Sequence, residues 1–329
     1  MIARMVFLLL TPLLLSACDN DAPTKPALDS GQNQQHSAEL QSLIHQVKAN
    51  LAFVEGGNFL MGDFGAKYGP EKIQLDAQKD SKPLYKVTLS NYSISKFKTT
   101  NQEYQLYLNL NGLQLKQEDN PLLQEWADAL NKLPDTPAHM DWYDAEKYCA
   151  WLGKVSGLPF ALPTEAQWEY AARNRGQFII AGTNSGVLEM DGIQRGVNIS
   201  GSLDRKEFAR KVGLSTEIDT AMPVDRYPPN PLGLYDMAGN GYDWIKDWYD
   251  PDYYKNSPVV DPQGPEKPVF KRREGIYDTE EKYQKVLRGA GTSGPFNGLT
   301  VARFKRSQDT KVTFITTVRC VVNSPQPVK

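Results

Sequence analysis

The residues best placed to do chemistry lie in one stretch, Pro228–Asp250, with the sequence PPNPLGLYDMAGNGYDWIKDWYD. Two carboxylates, Asp236 and Asp243, flank a turn that contains Gly239 and Gly241. Glycine lets the backbone turn sharply and approach a ligand closely, so side-chain and main-chain oxygens can converge on one cation. Calcium takes about 6–8 oxygen ligands, and the stretch therefore predicts a structural calcium site. The alternative is a plain aspartate-glycine turn ahead of an aromatic core strand.

Other kinds of catalytic site find little support in the sequence. The three histidines, His36, His45 and His139, are far apart in the chain and do not suggest a histidine-rich iron site. Ser293 lacks the Gly-x-Ser-x-Gly frame of an activated serine. No βαβ pattern surrounds the glycines at 289–291, so they do not form a dinucleotide-binding fingerprint. These patterns argue against a serine hydrolase and against a dinucleotide-dependent enzyme.

The run from Gly233 to Tyr249 resembles the signature of the formylglycine-generating enzyme family, also called the sulfatase-modifying factors. Similar segments extend the resemblance to most of the chain, roughly from Leu51 to Val322. The resemblance implies an α+β fold of the formylglycine-generating-enzyme type. That fold is irregular, is related to C-type lectins and has little regular secondary structure.

The resemblance also implies two structural calcium sites. In the family, a segment near-identical to the turn described above forms one of them. Asn198 and Ile199 match residues that supply ligands to the other. The later aspartate of that second site corresponds to either Glu217 or Asp219.

The family's oxidase holds copper through two cysteines, but this chain lacks them. In the corresponding segment, Gly294 and Leu299 stand at the cysteine positions. No cysteine occurs between Cys149 and Cys320, so no change of register supplies a thiolate. Soft thiolates suit Cu(I), and hydroxyl or amide groups do not replace them. Copper is therefore not expected, although Arg303 and Arg306 are expected to keep the family's arginine-lined cleft, with surface basic residues as the alternative.

The first 18 residues predict export and lipid attachment. Arg4 precedes an apolar run, Val6–Leu15, that is too short for a permanent membrane-spanning helix. The run ends in Leu-Ser-Ala-Cys, which resembles a bacterial lipobox and implies cleavage before Cys18 and a lipid on its sulfur. The alternative is an ordinary secretory peptide with an incidental cysteine. Asp19 resembles an inner-membrane retention signal, so we expect a periplasmic protein on the inner membrane, with the outer membrane as the alternative.

Export leaves Cys149 and Cys320 as a candidate pair, because disulfides persist in oxidising compartments. Both also align with cysteines that are bonded to each other in the family. The resemblance thus implies a disulfide, and two separate buried thiols are the alternative.

The remaining elements must position these residues. The chain divides into a signal peptide, a polar lipidated tether, a leading amphipathic helix and the family-like domain, at residues 1–17, 18–36, 37–50 and 51–325. Residues 52–62 predict strand, glycine turn and strand, similar to the family's opening hairpin. Thr100 and Thr164 each begin a capping-box pattern and predict helix starts.

Charge and resemblance together lead to a functional hypothesis. Lys and Arg number 37 against 39 Asp and Glu, a net charge of −2, which argues against nucleic acid as the main partner. The leading hypothesis is a lipid-anchored periplasmic binding protein on a catalytically silent scaffold of this family, a pseudoenzyme. Lipoproteins of this family occur beside toxic lipase effectors, so the specific hypothesis is an immunity protein that inhibits a secreted lipase. The alternative is a diverged oxidase or modifying enzyme that acts on a periplasmic protein or a siderophore.

Overall fold

The computed structural model describes residues 30–216, 220–270, 283–291, 298–310 and 316–329. Within these ranges the chain forms seven α-helices and twelve β-strands, most of them short and joined by long irregular connections. The helices are α1 Ser30–Ala49, α2 Gly65–Tyr68, α3 Asn101–Asn111, α4 Pro121–Leu130, α5 Trp142–Ser156, α6 Glu165–Ala172 and α7 Ser202–Lys211. The strands are β1 Leu51–Val54, β2 Gly57–Met61, β3 Tyr85–Leu89, β4 Tyr92–Ser95, β5 Phe160–Ala161, β6 Met190–Asp191, β7 Arg195–Gly196, β8 Gly241–Trp248, β9 Gln284–Ala290, β10 Phe304–Ser307, β11 Thr316–Thr317 and β12 Val321–Val322. This is the α+β fold with little regular structure that the sequence predicts.

Both ends of the domain meet in one sheet. Its four described strands lie in the order β1-β4-β12-β5, and every neighbouring pair is antiparallel. A second sheet has the order β10-β9-β8-β11, in which β11 runs parallel to β8 and the other described pairs are antiparallel. Because β12 lies between β4 and β5, the last strand of the chain holds the first sheet together.

The opening strands depart from the predicted hairpin. β1 and β2 form where the sequence predicts them, but β1 pairs with β4 and β2 pairs with β3. Gly56 lies between the two strands, and a Cβ atom there would lie 2.1 Å from the carbonyl oxygen of Leu89. Backbone this close to a neighbouring strand requires glycine. The prediction of two strands is confirmed, whereas the hairpin is wrong because the chain changes sheets at this glycine.

Two capping boxes begin helices at the predicted positions. The Thr100 hydroxyl accepts a hydrogen bond from Glu103 N at 3.2 Å, and the Glu103 carboxylate accepts one from Thr100 N at 2.9 Å. Thr164 and Gln167 make the same reciprocal pair at the start of α6. A cap residue typically contributes about 0.5–2 kcal/mol, so the two caps fix where α3 and α6 begin.

Helix α6 lies at the centre of the core. It packs against β2, β3, β8 and β9, and seven of its eight residues are buried. Trp168 and Ala172 belong to this buried set. Glu165 and Glu169 are also buried, and buried carboxylates require charged or hydrogen-bonding partners from other elements.

Helix α1 begins earlier than the sequence predicts. It starts at Ser30 and ends at Ala49, so residues 30–36 belong to the helix and not to the tether. These residues include no proline that would break a helix, but their polar composition offers no apolar stripe that would reveal one. The predicted signal peptide, Cys18 and Asp19 lie outside the described residues. None of the described helices is both long enough and apolar enough to cross a membrane.

Candidate functional site

The segment that would carry the family's oxidase cysteines lies between β9 and β10. Gly294 lies outside the described residues, whereas Leu299 forms an isolated antiparallel bridge with Ala181. Thr300 N donates to Ile180 O at 2.8 Å, so a hydrogen bond joins the same two segments. Leu299 therefore brings a hydrocarbon side chain to this place and no soft metal ligand.

The disulfide implied by the resemblance is present. Cys149, on α5, is bonded to Cys320, which precedes β12, across a sequence separation of 171 residues. The third cysteine of the chain, Cys18, lies outside the described residues. The part of the chain that the structure describes thus offers no free thiol for Cu(I).

Arg303 is buried in the core and does not line a cleft. Its Nε and Nη2 atoms donate to the two carboxylate oxygens of Glu165 at 2.7 and 3.0 Å. Arg288 pairs with Glu165 at 3.0 Å and with Glu169 at 2.8 Å, and Arg173 pairs with Glu169 at 2.8 Å. Burial opposes ionisation of Glu165, but Arg303 and Arg288 hold its pKa below the ordinary value. The predicted cleft role of Arg303 is wrong, because the buried glutamates of α6 need cationic partners.

The predicted calcium turn is held in shape by Asn240. Its side-chain amide donates to Asp236 Oδ2 at 2.7 Å and to Met222 O at 2.9 Å, and its Oδ1 accepts from Met222 N at 2.8 Å. Asp236 and Asn240 both have left-handed backbone conformations, with φ of 55° and 62°. Burial raises the pKa of Asp236 to about 6. Gly239 contacts Ile199, because a Cβ atom there would lie 3.0 Å from Ile199 Cδ1, so residues of the two predicted calcium sites are neighbours.

Asp243 lies on β8 with its carboxylate fully buried between two cations. Its Oδ1 accepts from Lys98 Nζ at 2.8 Å, and its Oδ2 accepts from Arg319 Nε at 2.8 Å. The indole N–H of Trp168 also donates to Oδ2, at 2.9 Å. Burial opposes ionisation, but Arg319 and Lys98 outweigh it and hold the pKa of Asp243 at about 2. The carboxylate that the sequence assigns to calcium is therefore ionised and already paired.

Two of the donors predicted for calcium at this turn bond to a lysine of the protein. Calcium takes about 6–8 oxygens at about 2.3–2.6 Å, but Gly241 O and Asp243 Oδ1 both accept hydrogen bonds from Lys98 Nζ. Among the described residues, no group of three or more His, Cys, Asp or Glu side chains could hold a metal ion. The calcium site at this turn stays a prediction, and the cation observed at two of its four donors is an ammonium group.

The side chain of Asn198 bonds to the backbone of its own loop. Its Oδ1 accepts from Glu189 N at 2.9 Å, and its Nδ2 donates to Val187 O at 3.0 Å. Glu217 and Asp219, the two candidates for the carboxylate of the second predicted calcium site, lie outside the described residues. That site therefore also stays a prediction.

An exposed aromatic cluster lies beside the segment that corresponds to the family's oxidase cysteines. Tyr68 and Phe178 stack with ring centroids 4.4 Å apart and are 38% and 41% exposed, and Ile73 nearby in the chain is 53% exposed. Phe178 directly precedes residues 179 and 180, whose carbonyl groups bond to Thr300. We call Tyr68 and Phe178 the Tyr68–Phe178 surface. The sequence does not reveal this surface, because Tyr68 and Phe178 are far apart in the chain.

The guanidinium of Arg173 supports this surface from inside. It lies 4.7 Å from the ring centroid of Phe64 and 5.5 Å from that of Phe178. Such cation–π contacts contribute roughly 0.5–2 kcal/mol, depending on burial. Because Arg173 also pairs with Glu169 of α6, it connects the exposed aromatic cluster to the buried core.

Comparisons with known proteins agree with the fold. Residues 37–324 match the family described as "Sulfatase-modifying factor enzyme 1-like domain". A Chlamydia pneumoniae protein named serine/threonine-protein kinase pkn1 is 28% identical over 94% of this chain, and the chain spans 48% of that protein. A Mus musculus protein named inactive C-alpha-formylglycine-generating enzyme 2 is 26% identical over 64% of this chain and 72% of its own length. PvdO from Pseudomonas aeruginosa has a similar structure, with a TM-score of 0.56, 23% identity and coverage of 83% of this chain and 93% of its own.

Proposed function

The chain belongs to the sulfatase-modifying factor family, and we propose that it uses the family's fold to bind a protein partner instead of oxidising one. The observation that carries this proposal is Leu299, which offers only hydrocarbon where the resemblance expects a copper ligand. The disulfide between Cys149 and Cys320 also removes both thiols of the described domain from metal chemistry. Cu(I) sites depend on such soft ligands, so the scaffold is retained without the means of oxidation.

The Tyr68–Phe178 surface supports a binding role. Aromatic side chains are enriched in protein interfaces, because they bury much apolar area and are held in few rotamers. A partner on this surface would contact the protein next to Leu299. The binding site would then lie where the resemblance places the chemistry of the family's oxidases.

The name of the chlamydial relative does not change this proposal. A protein kinase needs a His-Arg-Asp sequence in its catalytic loop. The three histidines of these 329 residues are followed by Ser37, Gln46 and Met140. Kinase activity is therefore no part of the proposed function, and the similarity to that protein bears on the shared fold.

In its finer form, the proposal is a lipid-anchored periplasmic protein that inhibits a secreted lipase effector, as an immunity protein does. Its support is the Leu-Ser-Ala-Cys sequence that ends at Cys18 and the expectation attached to lipoproteins of this family. Inhibition by stoichiometric binding needs no turnover. It is thus compatible with a fold that has lost its thiolate ligands.

The test pairs an activity assay with a binding assay. A sulfatase-derived cysteine peptide incubated with the protein, copper and a reductant should show no formylglycine, while an active family oxidase converts it. In parallel, tagged protein should capture a partner at one-to-one stoichiometry from a periplasmic extract that contains the product of the neighbouring gene.

Variants locate the binding surface. Tyr68→Ala with Phe178→Ala should weaken capture at least about tenfold, as expected for aromatic residues at the centre of an interface. Ile193→Ala is the matched control, because Ile193 is an apolar residue that is 80% exposed, between β6 and β7. Multiple turnover of the peptide would refute the binding proposal and favour the modifying enzyme. Equal capture by all variants would mean that the partner binds at a different surface of the protein.

A further inference from the structure

The ammonium group of Lys98 is enclosed by oxygen atoms from two strands. Lys98 Nζ lies 2.8 Å from Gly241 O, 2.8 Å from Asp243 Oδ1 and 3.3 Å from Thr317 Oγ1. A lysine ammonium has three N–H donors, and three acceptors surround it here. The Lys98 and Asp243 side chains are both fully buried.

Two of these acceptors are the oxygens that the sequence assigns to calcium. Gly241 contributes its carbonyl oxygen and Asp243 its carboxylate, and both lie at the end of the turn that begins at Asp236. The turn that the sequence predicts as an ion site is thus present, and the oxygens of Gly241 and Asp243 face a cation. That cation belongs to the protein itself.

We propose that the Lys98 ammonium takes the place of calcium at this turn, so that a side chain supplies the positive charge that an ion would otherwise supply. Calcium would need Gly241 O and Asp243 Oδ1 at about 2.3–2.6 Å, whereas both lie 2.8 Å from Lys98 Nζ. An ion bound to these same two oxygens would lie close to the ammonium, and the two positive charges would repel each other. Arg319 already pairs with Asp243 Oδ2, so a divalent ion added to this pocket would also meet two fixed cations.

This substitution has a structural consequence. Lys98 lies between β4 and α3, whereas Gly241 and Asp243 lie on β8 and Thr317 lies on β11. The ammonium consequently connects an early segment of the chain to two strands from its last third. A bound ion could hold the turn and β8 only through their own oxygens, but the lysine adds a covalent connection to a third part of the fold.

Thermal unfolding with and without calcium tests the proposal. The full chain, purified in detergent and stripped of metal with a chelator, should melt at the same temperature with excess calcium as with chelator. Lys98→Ala should melt at a lower temperature in chelator and should gain a calcium-dependent rise, because the ion can then reach Gly241 O and Asp243. Lys96→Ala removes the same charge two residues away, where the lysine bonds to Ala49 O at the surface, and should gain no calcium response.

Two results would overturn the proposal. One is a calcium-dependent rise in the wild type that is lost in Asp236→Asn, since that result would place the ion at this turn together with Lys98. The other is a folded Lys98→Ala protein that still does not respond to calcium. If Lys98→Ala does not fold, the comparison of the wild type with Asp236→Asn still decides the matter. Neither readout depends on a binding partner, so this test and that of the proposed function can fail independently.

Discussion

Asp247, on β8, is a buried carboxyl group whose charge changes near neutral pH. Burial, together with the charge of Glu165, raises its pKa to about 7. The pKa of an aspartate in an unfolded chain is about 3.9. Between about pH 4 and pH 7 the folded state therefore keeps a proton that the unfolded state has lost. The free energy of unfolding falls as pH rises through this window, and the full cost of the buried charge is present above it.

We predict that Asp247→Asn removes this part of the pH dependence. Asparagine stays neutral and keeps an oxygen that can accept from Glu165 N, as Asp247 Oδ2 does at 3.1 Å. Relative to the wild type, the variant should gain stability as pH rises, by about 1.4 kcal/mol for each unit of pKa shift removed. Urea unfolding between about pH 5 and pH 8 measures the gain, and exposed Asp128→Asn on α4 is the control. Parallel curves for the wild type and Asp247→Asn would contradict the raised pKa.

Single residues also show what the sequence can and cannot reveal. The caps at Thr100 and Thr164 were predictable, because each bonds to a residue three positions along. The site around Lys98 was not, because its acceptors Asp243 and Thr317 are 145 and 219 residues away. The predicted cleft role of Arg303 was wrong for a related reason. Arginine is mostly exposed, and nothing near Arg303 in the chain shows that Glu165 requires a partner.

At the scale of elements, the disulfide joins α5 to the segment before β12. A loop of about 170 residues closed in the unfolded state contributes about 5 kcal/mol in the chain-entropy description. We predict that reduction lowers the urea midpoint accordingly, and that non-reducing mass spectrometry of the wild type shows a peptide linking Cys149 to Cys320. The double variant Cys149→Ala with Cys320→Ala is the control, because reductant should not destabilise it further. An unchanged midpoint after verified reduction would contradict a stabilising role.

The strands divide into those that pattern predicts and those that depend on distant pairing. β1 and β2 occur in the stretch that the sequence predicts as strands. The order β1-β4-β12-β5 could not be predicted from pattern alone, since it joins strands from the beginning, middle and end of the domain. Gly56 shows most clearly what sequence pattern cannot predict, because a glycine between two strands suggests a hairpin turn. Only the approach of Leu89 shows that this glycine instead marks a change of sheet.

At the scale of the molecule, the fold depends on links between its two ends. β12 lies between β4 and β5, Lys98 bonds to β8 and β11, and the disulfide connects α5 to the final segment. The family resemblance predicted the outline of this domain and its disulfide. It could not show that a lysine occupies the predicted calcium turn, because that depends on packing particular to this chain.

The attachment of the whole molecule to a membrane is the last prediction. Helix α1 begins at Ser30, so the dozen or so residues after Cys18 can span at most roughly 40 Å. We expect the lipid on Cys18 to be the anchor, at about 0.8 kcal/mol for each buried CH₂ group. Cys18→Ser should therefore move the protein from the membrane fraction to the soluble periplasmic fraction, while the Cys149→Ala, Cys320→Ala variant stays with the membrane. If Cys18→Ser still sediments with membranes and the wild type takes up no radiolabelled fatty acid, the lipoprotein prediction is wrong and the proposed function loses its periplasmic anchor.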